Sequence, residues 1–320
     1  MQTSPGQPHP LRGRDASPDR DTLPARPGPE SPPNGGWMAA LFFNLRRPPL
    51  DDVRVRQALT LAYHGPWTRN TLFGGSYAPP GNPYGASDLA AKGRADPAEQ
   101  ALLEPFLSNL PDGILEAPSP PDTDSLDRRA RLRRADALLE QAGYVVVDGV
   151  RVRQTTGEPL RLEFIGTRPA FGRVLSTYAK DLDRLGIALD IRFFDYAQGR
   201  DLILGHQFDL TTAGFGAEFP PGRDERVYWH SERALKPGYA LAGAQDPALD
   251  ATIEAMTESG NYGSILAATR AFERVLSWQR YMLPLWRTED VWIAHNRDLA
   301  FPDGFVFPGF HYIPYLYWKQ

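Results

Sequence analysis

The residue types of a binding site are concentrated in one stretch, Ala213-Gly-Phe-Gly-Ala-Glu-Phe-Pro-Pro-Gly222. Gly214 and Gly216 let backbone approach a ligand closely. Phe215 and Phe219 offer flat apolar surface on either side of Ala217, and Glu218 offers a carboxylate. The stretch follows an expected strand at 208–213, and ligands of α/β sheets bind at the carboxyl ends of strands. An ordinary turn with one core phenylalanine is the alternative reading of the same residues. Catalytic constellations are missing from the pattern. The six histidines are scattered, with no His-x-x-x-His pair to clamp zinc from one helix face, and no Gly-x-Ser-x-Gly elbow is present. A chain without cysteine has no thiolate nucleophile, iron–sulfur ligand or disulfide. Gly214-Phe-Gly216 has the start of a dinucleotide loop, but Phe219 stands where the third glycine belongs. The expectation is a binding protein rather than an enzyme, with no catalytic residue, metal ligand or cofactor.

The elements that would position this loop are legible as a strand–helix–strand–helix–strand unit. A strand is expected at 160–165. A helix follows, with Phe171, Val174, Leu175, Tyr178, Leu182 and Leu185 facing inward and Gly186 closing it. The next strand alternates Ile187, Leu189, Ile191 and Phe193 against Asp190 and Arg192. A short helix at about 197–204 leads to the strand at 208–213. This spacing implies parallel strands with right-handed crossovers. Upstream, Met38–Asn44 reads as a buried strand, and Asp51 or Asp52 caps a helix running to about Tyr63. Residues 64–124 are rich in Pro, Gly and Asn around a short helix at 97–107, and are too long for a plain loop. A helix at about 126–142 turns Leu132, Ala135, Leu138, Leu139 and Ala142 inward. Its arginines at 128, 129, 131, 133 and 134 read as a solvated face, with a phosphate patch as the alternative. Two β-rich runs around Asp148-Gly149 predict a hairpin. Two further helices follow, the first capped by Asp246-Pro247, and the C-terminus is extended and aromatic. No internal repeat is visible.

Composition bounds the class. Residues 1–36 hold fourteen Pro or Gly and no aromatic, too little apolar surface to offset the entropy of ordering, and are read as disordered. The remaining chain is ordinary for a globular core. A net charge of -4, mixed in sign, argues against nucleic acid as a partner. No apolar run is long enough for a membrane helix, and the N-terminus lacks the apolar stretch of an export signal.

At Phe43-Asn-Leu-Arg-Arg-Pro-Pro-Leu-Asp-Asp-Val-Arg-Val-Arg-Gln-Ala-Leu-Thr-Leu-Ala62 the chain resembles the family 5 extracellular solute-binding proteins. Arg133–Tyr144, Thr156–Leu160, Gly222–Trp229 and Pro284-Leu-Trp286 are similar to one branch, the YejA-like oligopeptide and microcin C binders. The resemblance covers about residues 37–320, with 1–36 outside it. It implies a periplasmic-binding-protein-like type II α/β fold with two lobes that close on ligand. By that likeness, 37–283 is lobe two and 284–320 is the C-terminal segment returning to lobe one. The aromatic tail, from Trp286 through Trp292, Tyr312, Tyr315, Tyr317 and Trp318, would face a first lobe. The implied partners are an oligopeptide ligand, ABC transporter permease subunits and the missing N-terminal lobe, in the periplasm. Gly214, Phe215, Gly216, Ala217, Glu218, Phe219 and Trp286 are the implied ligand-binding residues. Glu218 is similar in position to the acid that pairs with a peptide's amino terminus in classical oligopeptide binders. Complete members are about twice this length, so a truncated member is expected; a fragment without activity, or a ligand-sensing domain of a regulator, is the alternative.

Overall fold

The computed structural model describes residues 38–85, 87–119, 126–216, 220–287, 299–300 and 317–318. The segment 1–36, Ala217, Glu218, Phe219, Trp292, Tyr312 and Tyr315 lie outside the described residues. Strand β1 (Met38–Phe43) is apolar throughout and buried on both faces, as a strand covered from two sides must be. Helix α1 (Val53–Ala62) starts where the Asp52 side chain accepts the Arg54 N–H, and one turn, α2 (Gly65–Trp67), follows. Asp96 caps α3 (Pro97–Leu103), with Pro97 in the first turn where its missing N–H costs nothing. Asp127 caps α4 (Arg128–Gln141). Strands β2 (Tyr144–Val147) and β3 (Val150–Arg153) form the expected hairpin, with Asp148 and Gly149 both at positive φ, as its tight turn requires. Then come β4 (Arg161–Gly166), α5 (Gly172–Asp183), β5 (Ala188–Phe193), α6 (Tyr196–Leu204) and β6 (Leu210–Phe215). Helices α7 (Arg223–Trp229), α8 (Ser231–Ala234), α9 (Pro247–Glu258) and α10 (Tyr262–Gln279) lead to β7 (Met282–Arg287). Last, β8 (Leu299–Ala300) pairs antiparallel with β9 (Tyr317–Trp318).

Five strands make one sheet in the order β5-β4-β6-β1-β7. Strand β4 runs parallel to β5 and β6, while β1 runs antiparallel to β6 and β7. On one face, Leu41 and Phe43 of β1 pack with Leu59, Leu162, Val174, Tyr178 and Leu182. On the other, Met38, Ala40 and Phe42 pack with Trp229, Ile253, Phe272 and Val275. The period-2 alternation along β1 thus feeds two cores, one under α1 and α5 and one under α9 and α10.

Three expectations need correction. The third parallel strand is 210–215 rather than 208–213, so Gly214 and Phe215 belong to the strand and not to the loop after it. Pairing is the cause: Gly214 lies opposite Ala39 and Phe215 opposite Met38, and the partner strand overrides the weak strand propensity of glycine. The lobe boundary at 283/284 falls inside β7, so Pro284-Leu-Trp286 builds this sheet. Pro284 is tolerated because β7 is an edge strand and the β1–β7 register shifts at Ala39/Ala40. Arg131 is not part of a solvated face. It is buried and donates to the carbonyls of Leu61 (3.2 Å) and Tyr63 (2.5 Å), tying α4 to the end of α1.

The irregular region packs over the α9–α10 core, burying Tyr84, Leu89, Leu103, Leu110 and Ile114. Charge fastens it. Arg274, fully buried, donates to Glu99 Oε2 at 2.6 Å and to the carbonyls of Gly93 (3.0 Å) and Ile114 (3.3 Å). Beside it, Glu273 Oε2 accepts the Ala91 N–H at 2.7 Å. Burial pushes the Glu273 carboxyl up to about 7, with Glu99 adding to the rise and the Ala91 N–H, Arg274 and Arg270 opposing it. A carboxyl raised in this way keeps its proton in the fold where the unfolded chain has lost it. The stability it confers is full below the ordinary value of 4.5 and is lost as pH rises through about 7. Glu273→Gln keeps an oxygen for the Ala91 N–H and removes the titration. Denaturant titrations should find the variant more stable than the parent by about 3 kcal/mol at pH 8, with the gap closing toward pH 4.5. A gap independent of pH would refute this account.

Candidate functional site

The carboxyl ends of the parallel strands share one edge of the sheet. Strand β5 ends there at Phe193, β4 at Gly166, β6 at Phe215 and β7 at Arg287, and β1 enters at Met38. Two rows of paired residues form its centre. Ala39 lies between Gly214 on β6 and Trp286 on β7. Met38 lies between Phe215 and Arg287.

Residues opposite one another in a sheet share a face, and adjacent rows alternate. The structure therefore brings Gly214 and Trp286 to one face and sends Phe215 to the other. Trp286 is 8% exposed. It stacks on Phe171 (5.4 Å between centroids, 22°) and meets Phe73 at 4.9 Å and Tyr77 at 5.7 Å. These three rings are half-buried. Trp286 is thus the base of an aromatic cluster between β7 and the entry to α5. Phe215 is also buried, with its ring edge-on to Trp229 at 5.5 Å and to Tyr228 at 6.4 Å. It anchors the strand end in the second core. Gly216 follows the strand and is half-buried.

The far end of the 213–222 stretch is held separately. Gly222 adopts φ +119, and a Cβ there would meet Thr257 Cγ2 at 3.0 Å and Met256 Cβ at 3.3 Å, so both conformation and space select glycine. Its N–H donates to Glu225 Oε2 at 2.5 Å, and Tyr84 donates its hydroxyl to Glu225 Oε1 at 2.8 Å. Burial raises the pKa of Glu225 despite these donors, and burial beside Glu225 raises that of Tyr84. The sequence reading missed Glu225, Tyr84 and Trp229. A signal existed for the first: Gly222-Arg-Asp-Glu225 has capping-box spacing ahead of α7. Tyr84 had none, because its partner is far away in sequence.

Among the described residues no group of three or more His, Asp or Glu side chains is placed to hold a metal ion. None of the described helices is long and apolar enough to cross a membrane. The rim brings together strand-end backbone, glycines and aromatic side chains.

A mixed sheet of this strand order with helices on both faces is one α/β lobe of a periplasmic-binding-protein type II fold. The Bacillus subtilis oligopeptide-binding protein AppA, solved with a nonapeptide, superposes with a TM-score of 0.62 at 13% identity, over 90% of this chain and 51% of AppA. The model of the bacterial extracellular solute-binding proteins, family 5 (Middle), matches residues 13–234, and the chain belongs to that family. The match begins inside the segment 1–36 that composition set apart, so the likeness extends further toward the N-terminus than its quoted motifs. YejA of Escherichia coli K12 is 33% identical over 282 residues, covering 87% of this chain and 45% of YejA. A YejA of Agrobacterium fabrum, named as a probable peptide-binding protein, is 28% identical over 84% of this chain and 44% of its own length. The chain spans about 45% of the length of the curated relatives it matches.

The packing of Trp286 has a measurable consequence. As the base of the rim cluster it should behave as a core residue, so Trp286→Ala should lower stability by about 3–5 kcal/mol in denaturant unfolding. Phe171→Ala, removing a half-buried ring, should cost less. Equal and small effects would place Trp286 on an open surface instead.

Proposed function

We propose that this lobe supplies one wall of the ligand site in the substrate-binding component of an ABC importer for oligopeptides. The observation that carries the reading is the Gly214–Ala39–Trp286 row at the carboxyl rim, in a chain of family 5. Strand-end backbone beside glycines can hydrogen-bond an extended peptide without reading its side chains. Gly216, Ala217, Glu218 and Phe219, the next residues in the chain, are the proposed ligand contacts beyond that row. A first lobe closes over the rim and removes water from both sides of the peptide, and the closed pair docks on the permease subunits. On its own, this lobe leaves a bound peptide half in water and holds it weakly.

Glu218 is the proposed anchor for the ligand's terminal ammonium. Peptides differ in their side chains, but a free amino terminus is common to most, so one carboxylate serves many ligands. A charge-assisted hydrogen bond contributes about 1.5–3 kcal/mol, and its loss weakens binding by roughly ten- to a hundred-fold. The test uses a two-lobed protein completed with a related first lobe, and calorimetry with a free-amine peptide and its N-acetylated twin. Glu218→Gln should weaken the first and spare the second. Equal effects on both, or on neither, would remove Glu218 from this role.

A further inference from the structure

A second site lies at the opposite edge of the sheet. Helix α5 begins beside the rim, after β4, and runs back to the amino ends of the strands, so its twelve residues separate the two places by roughly 18 Å. There the C-terminal end of α5, the first turns of α4 and the β2–β3 hairpin line a shallow, open concavity of about 580 Å³. Its lining holds five arginines, Arg128, Arg129, Arg133, Arg151 and Arg184, against one carboxylate, Asp136. The whole chain carries a net charge of -4, so this concentration of positive charge runs against the average of the molecule.

Two carboxylates nearby, Asp136 and Asp181, are already engaged. Asp136 pairs with Arg151, which is buried and also donates to the carbonyls of Leu185 (2.9 Å) and Tyr144 (3.2 Å). Asp181, 2% exposed, accepts from Arg128 Nε at 2.6 Å and from Arg184 Nη1 at 2.9 Å, which fixes both guanidinium groups at the concavity's edge. Arg129 and Arg133, one turn apart on α4, are exposed at its mouth. Among the described residues neither pairs with a carboxylate. The result is a set of cations in which three are held in place by acids and two remain free to take an anion. Guanidinium groups, planar and always charged, suit the bidentate recognition of phosphate oxygens.

We propose that this concavity binds a phosphate-type oxyanion, with Arg129 and Arg133 as its direct ligands and Arg128 and Arg184 as positioned support. The chemistry is shared by free phosphate compounds and by the headgroups of anionic lipids, and the experiment separates them. Calorimetry of the chain in phosphate-free buffer with inorganic pyrophosphate tests the first source. Co-sedimentation with phosphatidylglycerol–phosphatidylcholine vesicles tests the second. Binding in either assay should weaken at least ten-fold in the Arg129→Gln, Arg133→Gln double variant and fall steeply with salt. Thermal unfolding of that variant should match the parent, because both side chains are exposed. Arg134→Gln, on the same helix but outside the concavity, should leave binding unchanged. Pyrophosphate binding alone identifies a free ligand, and vesicle binding alone identifies a headgroup. No binding in either assay, or an Arg134→Gln effect as large as that of the double variant, overturns the proposal.

Discussion

The structure depends on one constraint: β1 is buried on both faces, so every backbone N–H and C=O along it must be satisfied within the sheet. Its two neighbours do this, β6 on one side and β7 on the other. Because β1 runs against both, a single antiparallel strand joins β7 to the parallel set. That pairing draws Trp286 and Gly214 to either side of Ala39, and so it creates the rim as well as the core. A polar or branched intrusion at Ala40 would disturb the α9–α10 core, and one at Ala39 the opposite face.

The second organising feature is the use of buried charge to hold irregular chain. Residues 84–117 have little regular structure of their own, yet they cover the α9–α10 core. Arg274 supplies donors to carbonyls that no helix or strand would satisfy, and Glu99 keeps that cation from being left unpaired. Tyr84 and Glu225 extend the same logic to Gly222 at the end of the 213–222 stretch. Rim and scaffold are therefore linked through polar contacts of long sequence separation.

Much of the fold was legible in local pattern. The alternation of Leu189, Ile191 and Phe193, the caps at Asp52 and Asp246, and the Asp148-Gly149 turn each have a short-range physical cause, and each appears in the structure. What pattern did not show was long-range. Gly214 and Phe215 are strand only because β1 lies beside them. Trp286 is core because Phe73, Tyr77 and Phe171 converge on it from two other segments. Arg131 reads as surface in a run of arginines and is buried only because the end of α1 presents free carbonyls to it. For the 213–222 stretch, residue types pointed to the strand end, while the partition of Phe215 and Trp286 between opposite faces needed the register of β1.

The central position of β1 also bears on how the chain reaches this state. Of the five strands in the sheet, β1 is the first to be synthesised, and the two that flank it are the last. Its partners lie more than half the chain away, so loop-closure entropy must be overcome before either pairing is rewarded. Until then, an apolar six-residue segment with open edges on both sides is available to other chains. The strand on which the lobe depends most when folded is therefore the one most exposed to misassembly during folding. Conditions that shelter Met38–Phe43 early should govern the yield of native protein more than those that strengthen the finished core.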